Sequence, residues 1–469
     1  MNLRPLLDQD RTRFGHLSAA PEPGRGHDPG CIVVLGGGVA GLAAADRLCR
    51  AGWHVRVIER AQSAGGTHRA RHFGPYTFDV GSMFYEQDAL LFGLAPEVRS
   101  TCPRVMRVQR RITPDGSVRR YPFDPCELRN RPLAERTRSI LDLAWSRLTV
   151  TRDGTLDAIA RQRLGGTLFE ATGLASYIAR FHHVPASEID EAFFFHRMAF
   201  VERSTRLGVL ARMVLHALRS GGAPAARSQR PLHVRPREGF EPMFEPIVAR
   251  LRVAGVEFHF GEELVSIQRQ DSGFLVATAT DSFAAAGVVS TIPVEILHRA
   301  MFGSTSGLVS LAMTTLFVSA RRLDAALGNV LFNFHGTGRW KRATIYSRIY
   351  PTPAVAREFL AVEITIPPGG QHEPQEAFED FRLHLTRLGL AEDLILEGHD
   401  RVDNCYPLYS PGSAAAVGQV LQLIAASGVV LAGRQGRFEY LPTSSGVIRR
   451  VEEELASSGL LEAVKRAAA

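Results

Sequence analysis

Residues 31–41 read Cys-Ile-Val-Val-Leu-Gly-Gly-Gly-Val-Ala-Gly, and the chain runs on through Leu42-Ala-Ala-Ala-Asp-Arg-Leu48 to Val55-Arg-Val-Ile-Glu59. The apolar, β-branched run ending at Leu35 predicts a strand buried on both faces. Gly36, Gly38 and Gly41 form G-x-G-x-x-G at the point where this strand turns into a small-residue helix. The first glycine allows the tight turn, the second lets backbone approach a pyrophosphate, and the third lets helix and strand pack closely. Free N–H groups at the helix start then point at the phosphates. A second strand, residues 54–58, delivers Glu59 where a carboxylate can accept hydrogen bonds from ribose hydroxyls. Strand, glycines, helix, strand and acid together disfavour a bare glycine turn and predict a bound dinucleotide.

Downstream lie Arg60, Gly65-Gly66-Thr67 and Phe78-Asp79-Val80-Gly81-Ser82. With the opening segment they resemble the flavoprotein superfamily of amine oxidases, protoporphyrinogen oxidase, phytoene desaturases and UDP-galactopyranose mutase, which reads G-x-G-x-x-G, E/D-R, G-G, F-D-x-G. The resemblance implies FAD, held by Gly36, Gly38, Val39, Ala40, Gly41, Glu59, Arg60, Gly65, Gly66 and Thr67. It implies that the paired glycines pass the ribityl chain and that Gly81 and Ser82 lie near the isoalloxazine. No second fingerprint for NAD(P)H is present.

At 469 residues the chain exceeds one ordinary core, and its 45% apolar content is that of a globular protein. The expected class is α/β. The resemblance implies a Rossmann-like, glutathione-reductase-type FAD-binding domain built from discontinuous segments, plus an α+β substrate domain. Residues 1–29 are polar, Arg-bearing and rich in Pro and Gly, which reads as a disordered tail and not a signal peptide. FAD-binding segments are expected at 30–90, 233–297 and 406–469. Substrate-domain parts are expected at 91–232, mainly helical, and 298–405. The middle segment reads as a helix over 243–253 and strands over 256–260, 264–268 and 274–279. The resemblance places the backbone near Leu264 against the adenine. The last segment ends a strand at Gly433 and starts a helix near Thr443; its Gly433, Arg434, Gly436 and Tyr440 match G-R-x-G-x-x-x-Y, which implies Arg434 beside the flavin or pyrophosphate.

Five cysteines lack C-x-x-C spacing, so neither zinc nor a disulfide framework is expected, and His182-His183 reads as structural or surface. The net charge is +7, yet only Lys341 and Lys465 are lysines. Arginine forks suit anionic ligands. Dispersed arginines without interleaved aromatics argue against nucleic acid. No apolar run reaches membrane-spanning length, and a cytoplasmic protein is expected. Residues 207–218 read as a basic amphipathic helix, packed on its own domain in preference to touching a membrane surface.

Several matches resemble UDP-galactopyranose mutases, especially the eukaryotic type: Tyr121-Pro122-Phe123, Val184-Pro185 followed by Arg197, Arg342-Ala-Thr-Ile-Tyr-Ser347, Tyr406-Pro407 and Tyr440. They imply that Arg197 and Arg342 clamp a diphosphate and that Tyr406 and Tyr440 stand near sugar and phosphate. The mutases carry Gly-Gly-His where this chain has Gly81-Ser82-Met83. Amine oxidases of the superfamily place a lysine near flavin N5, and residues 311–317 carry none. Lys341, beside Trp340 and Arg342, is a candidate substitute, but a solvated or phosphate-facing lysine is the preferred reading. Three functions follow: an oxidoreductase moving a hydride between a small, anionic metabolite and flavin N5; a non-redox mutase using reduced FAD on a nucleotide-diphosphate sugar; and a non-catalytic flavin binder. The missing mutase histidine favours the first.

Overall fold

The computed structural model describes residues 30–81, 83–122, 132–197, 202, 205–206, 208, 230–352, 355–371 and 373–462. The expected tail, Ser82 and nearly all of residues 207–218 therefore lie outside the described residues. Among the described residues no helix is long and apolar enough to cross a membrane.

The strand Cys31–Leu35 is buried along its whole length and forms the centre of a parallel sheet. Strand order is Glu257–Phe260, His54–Glu59, Cys31–Leu35, Gly287–Ser290 and Val430–Leu431, so three distant parts of the chain complete one sheet. Parallel strands need crossovers, and the helix Val39–Arg50 makes the first. Its Ala43, Ala44 and Ala45 are buried, small enough to seat it against the strands. Helix Ser444–Ser457 packs beside it and is capped by the Thr443 hydroxyl, which accepts from the Gly446 N–H at 3.1 Å. An antiparallel trio, Leu264–Gln270, Gly273–Thr278 and Ser282–Ala285, projects from this unit.

A second, seven-stranded sheet runs in the order Ala391–Pro407, Ser310–Leu323, Glu358–Ile366, Arg342–Ile345, Val330–Asn333, Gln109–Ile112 and Val118–Arg120. Only Val330–Asn333 with Gln109–Ile112 is parallel. Helix Pro374–Arg387 shares one core with this sheet, and helices Leu156–Leu164, Gly166–Ala171 and Leu174–His182 share another with Val330, Phe332 and Phe334. The hairpin of Ala70–Phe73 and Tyr76–Asp79 meets the second sheet on an aromatic cluster. Phe78 stacks on Phe317 at 4.9 Å and meets Phe359 edge-on at 5.7 Å. Beside it the Asp79 carboxylate receives the Arg235 guanidinium at 2.6 Å, and both side chains are fully buried. That pair ties the Phe78-Asp79 stretch to the strand Leu232–Val234, which ends one residue before Arg235.

Candidate functional site

The turn after the first strand forms the floor of a cleft of about 310 Å³. Gly36, Gly38, Val39, Ala40, Glu59, Arg60, Gly65, Gly66, Thr67, Leu264 and Arg434 all line it. Gly41 lies beneath the turn, where an added Cβ would meet the Gly36 carbonyl oxygen at 1.7 Å. Gly81 meets the Thr67 carbonyl from behind, with an added Cβ 2.6 Å from its oxygen. Gly433 packs on Ala40 at the helix start. The Gly65-Gly66 loop is bound to the first turn by the Gly65 N–H, which donates to the Gly37 carbonyl at 2.9 Å.

Helix Val39–Arg50 begins at Gly38 with no side-chain cap and no acid in its first turn. Its free N–H groups and dipole therefore favour an anion at this end. Gly38 differs from its neighbours: an added Cβ would sit 3.6 Å from the nearest atom, an ordinary contact. The protein's own packing does not demand glycine there. The Glu59 carboxylate accepts from the Gly37 N–H at 2.6 Å and the Ala61 N–H at 2.8 Å. It thus orders the turn while lining the cleft.

At the far wall Arg434 donates to the Cys405 carbonyl, and its guanidinium lies 5.3 Å from the Tyr406 ring centre and 5.5 Å from that of Tyr440. The two tyrosines are 6.2 Å apart. Their placement follows from long strand Ala391–Pro407, whose Tyr406 faces Leu311 across the sheet. Arg342 pairs with Glu363 directly across the neighbouring strands, donating from Nε at 3.0 Å. Burial opposes the Arg342 charge, but Glu363 raises it well above the ordinary range. Arg197 ends the helix Ala192–Arg197, and its side chain lies outside the described residues.

Lys341 is neither solvated nor free to face a phosphate, and that expectation is corrected. It is 2% exposed, with Nζ 2.9 Å from Glu363 Oε2 and donating to the Tyr406 hydroxyl at 2.9 Å. Burial pushes the Glu363 carboxyl up, yet Arg342 and Lys341 together pull it down to about 2. His182 is buried between Phe181 and Phe193, at 4.6 Å from each ring.

Four contributors escaped the sequence reading. Glu363 had one visible signal, a lone carboxylate inside the apolar run Phe359-Leu-Ala-Val-Glu-Ile-Thr-Ile. Arg107 lies 5.7 Å over Phe84, which lines the cleft, and burial and then Arg342 depress its basicity. Tyr85 lines the cleft with a buried hydroxyl that has no hydrogen-bond partner among the described residues. His68 lines it too, and burial, aided by Arg434 and opposed by the Gly65 carbonyl, pushes its imidazole down to about 4.

These shifts set a pH dependence. Burial, His335 and Arg180 also bring His384 down to about 4. An imidazole depressed in the folded protein protonates first in the unfolded chain, so stability falls as pH drops from 6.5 toward about 4 and then levels. Glu363 contributes stability above 4.5 that is lost as pH falls toward about 2. Thermal melts of the cofactor-free protein should show Tm falling below pH 6.5, less steeply in His68→Gln. An identical slope in that variant would place the titration elsewhere.

The sequence matches the family described as flavin containing amine oxidoreductase over residues 39–332. Among curated proteins, the peroxisomal N(1)-acetyl-spermine/spermidine oxidase of Bos taurus is 46% identical over 65 residues, 13% of this chain and 12% of that protein. The 1-hydroxycarotenoid 3,4-desaturase of Flavobacterium sp. (strain P99-3) is 43% identical over 53 residues, 11% of each. The chain thus matches only about an eighth of the length of these relatives. Among solved structures, a reduced UDP-galactopyranose mutase has a TM-score of 0.73 at 16% identity, over 93% of this chain and 98% of that one. A putative protoporphyrinogen oxidase from Exiguobacterium sp. 255-15 has 0.67 at 18% identity, over 92% and 99%. A putrescine oxidase double mutant has 0.56 at 15% identity, over 91% and 98%. At these identities the likeness shows a common fold.

The residues present fit FAD. A glycine cradle, an uncapped helix start and Glu59 suit the pyrophosphate and ribose, and Leu264 lines the same cleft. Two buried polar atoms, Arg434 Nε and Tyr85 Oη, lack hydrogen-bond partners among the described residues, and both residues line the same space. A bound dinucleotide offers them acceptors and donors.

Proposed function

Because this chain belongs to the flavin-containing amine oxidoreductase family, we propose that it is an oxidoreductase that moves a hydride between a small, anionic metabolite and flavin N5. The observation that carries this reading is the continuity of the cleft with an aromatic and cationic wall. Arg434 lines the cofactor cleft and at the same time covers Tyr406 and Tyr440.

FAD, when bound, supplies the hydride acceptor, and the protein supplies position and electrostatics. Backbone N–H groups at Gly38–Ala40 hold the pyrophosphate, and Glu59 holds the ribose. The faces of Tyr406 and Tyr440 orient the substrate. Phe181 and Met313, both buried beside Tyr406, keep water from the reacting atoms. Arg107 offers charge to an anionic group, whereas Arg342 is held in its salt bridge to Glu363.

Glu59→Ala should weaken FAD by about 10–100-fold, the worth of hydrogen bonds to a charged group. Flavin release followed by fluorescence reads this directly; unchanged affinity would remove Glu59 from the cofactor site.

The mutase reading asks Arg342 to grip a diphosphate, but its Nε and Nη2 already donate to Glu363. That observation favours the redox reading. The test is anaerobic mixing of the oxidised holoprotein with anionic metabolites and amines. Bleaching without prior reduction is expected. Turnover of a UDP-sugar only after reduction, with no net electron transfer, would establish the mutase, and inertness in both redox states would leave a flavin binder.

A further inference from the structure

Arginine has almost displaced lysine from this chain: of 55 basic residues only Lys341 and Lys465 are lysines. Lys341 is buried, at 2% exposure. Its Nζ bridges two oxygens, Glu363 Oε2 and Tyr406 Oη, each at 2.9 Å. It also lies 4.9 Å from the Phe181 ring centre and 4.3 Å from that of Tyr406, two rings set edge-on 5.0 Å apart. An ammonium is a compact charge with three rotatable donors, whereas a guanidinium is a broad plane with donors in a fixed fork. Only the former meets both oxygens from the angle between those rings. Glu363 is shared, with one oxygen on Lys341 and the other on Arg342. The carboxylate therefore anchors the ammonium from behind, and the remaining reach of Nζ is spent on the phenol.

We propose that Lys341 is a positioning residue that acts through Tyr406, fixing its phenol and strengthening it as a hydrogen-bond donor toward the substrate side of the flavin. The ammonium donates to the phenol oxygen and draws charge from it, and linked hydrogen bonds strengthen one another in this way. The phenol proton is thereby directed away from Lys341, toward the Met313 side, where the thioether sulfur stands 3.9 Å from the oxygen. A thioether is a weak acceptor. A substrate oxygen or nitrogen competes with it on favourable terms. Arg434 covers the same ring and lines the cofactor cleft. The inference rests on the reading of Tyr406 as facing substrate, but its test needs no turnover.

The probe is sulfite, a small oxyanion that binds oxidised flavin at N5 and is read from loss of visible absorbance. FAD-loaded Lys341→Met should bind sulfite at least about tenfold more weakly than the unaltered protein, the loss of one hydrogen bond strengthened by charge. Tyr406→Phe should lose a similar factor, and the double variant should lose no more, because one acts through the other. In Lys341→Ala, ethylammonium should restore sulfite affinity and ethanol of similar size should not. Lys341→Arg should remain impaired. Unaltered affinity in Lys341→Met, additive losses in the double variant, full function in Lys341→Arg, or failure of the unaltered holoprotein to bind sulfite would each overturn the assignment. A purely structural Lys341 would lower Tm and flavin content while leaving sulfite affinity of the retained holoprotein intact, which also overturns it. Absence of substrate oxidation beside an intact Lys341 effect would fail the oxidoreductase reading alone.

Discussion

Gly41→Ala should purify without flavin and with its fold weakened by about 3 kcal/mol or more, the upper end of overpacking penalties. The added Cβ would lie 1.7 Å from the Gly36 carbonyl oxygen. That atom is backbone, so no side-chain rotation relieves the clash, and the helix Val39–Arg50 must move off the first strand. The same movement drags its N–H groups away from the pyrophosphate. Gly38→Ala provides the contrast. Its Cβ would meet nothing closer than 3.6 Å, so the variant should keep its Tm and lose FAD alone. Thermal melts and flavin-to-protein absorbance ratios measure both. A yellow Gly41→Ala protein would contradict the close helix–strand approach, and a yellow Gly38→Ala protein would move the pyrophosphate elsewhere.

Asp79→Asn should cost about 3–5 kcal/mol, the penalty for leaving a buried charge without its partner. Arg235 is fully buried and gives its donors to Asp79 Oδ1 at 2.6 Å, the Pro236 carbonyl at 2.6 Å and the Arg237 carbonyl at 2.8 Å. It also lies 4.7 Å over the Tyr350 ring. Carbonyl dipoles and a ring face do not replace the carboxylate. Arg235→Met should cost less, because the two partners are unequal. A guanidinium keeps its charge, whereas a carboxyl can take up a proton, and burial already pushes Asp79 up to about 6 even beside Arg235. The double variant Asp79→Leu/Arg235→Met should recover part of the loss. Denaturant melts of the four proteins settle the ordering; equal losses in the two single variants would contradict the unequal-partner explanation.

The cofactor turn was legible because its determinants are local. Gly36 to Glu59 spans a turn, one helix and one strand, and the close approach that requires Gly41 is to Gly36, five residues back. Residues 256–278 were legible for the same reason, since alternating apolar runs between polar breaks predict their strands directly. The ion pairs were not. Asp79 sits in a recognisable Phe-Asp-Val-Gly stretch, but its partner Arg235 lies 156 residues on. Glu363 meets Arg342 and Lys341 only because the strands Arg342–Ile345 and Glu358–Ile366 pair in one register. A shift of one residue would turn the carboxylate to the other face. Lys341 was misjudged for that reason: beside Trp340 and Arg342 it reads as polar surface, while the register carries it to a buried carboxylate. Residues 109–112 and 118–120 likewise join the second sheet through a parallel pairing with Val330–Asn333, a long-range contact that periodicity cannot show.

The most direct test of the central claim is the mass of the product formed when oxidised holoprotein is mixed with its substrate under anaerobic conditions in equal amounts. A product lighter by two hydrogens, appearing together with flavin bleaching, is the expected result. A product of the same mass as the substrate, formed only after the flavin has been reduced beforehand, would contradict hydride transfer.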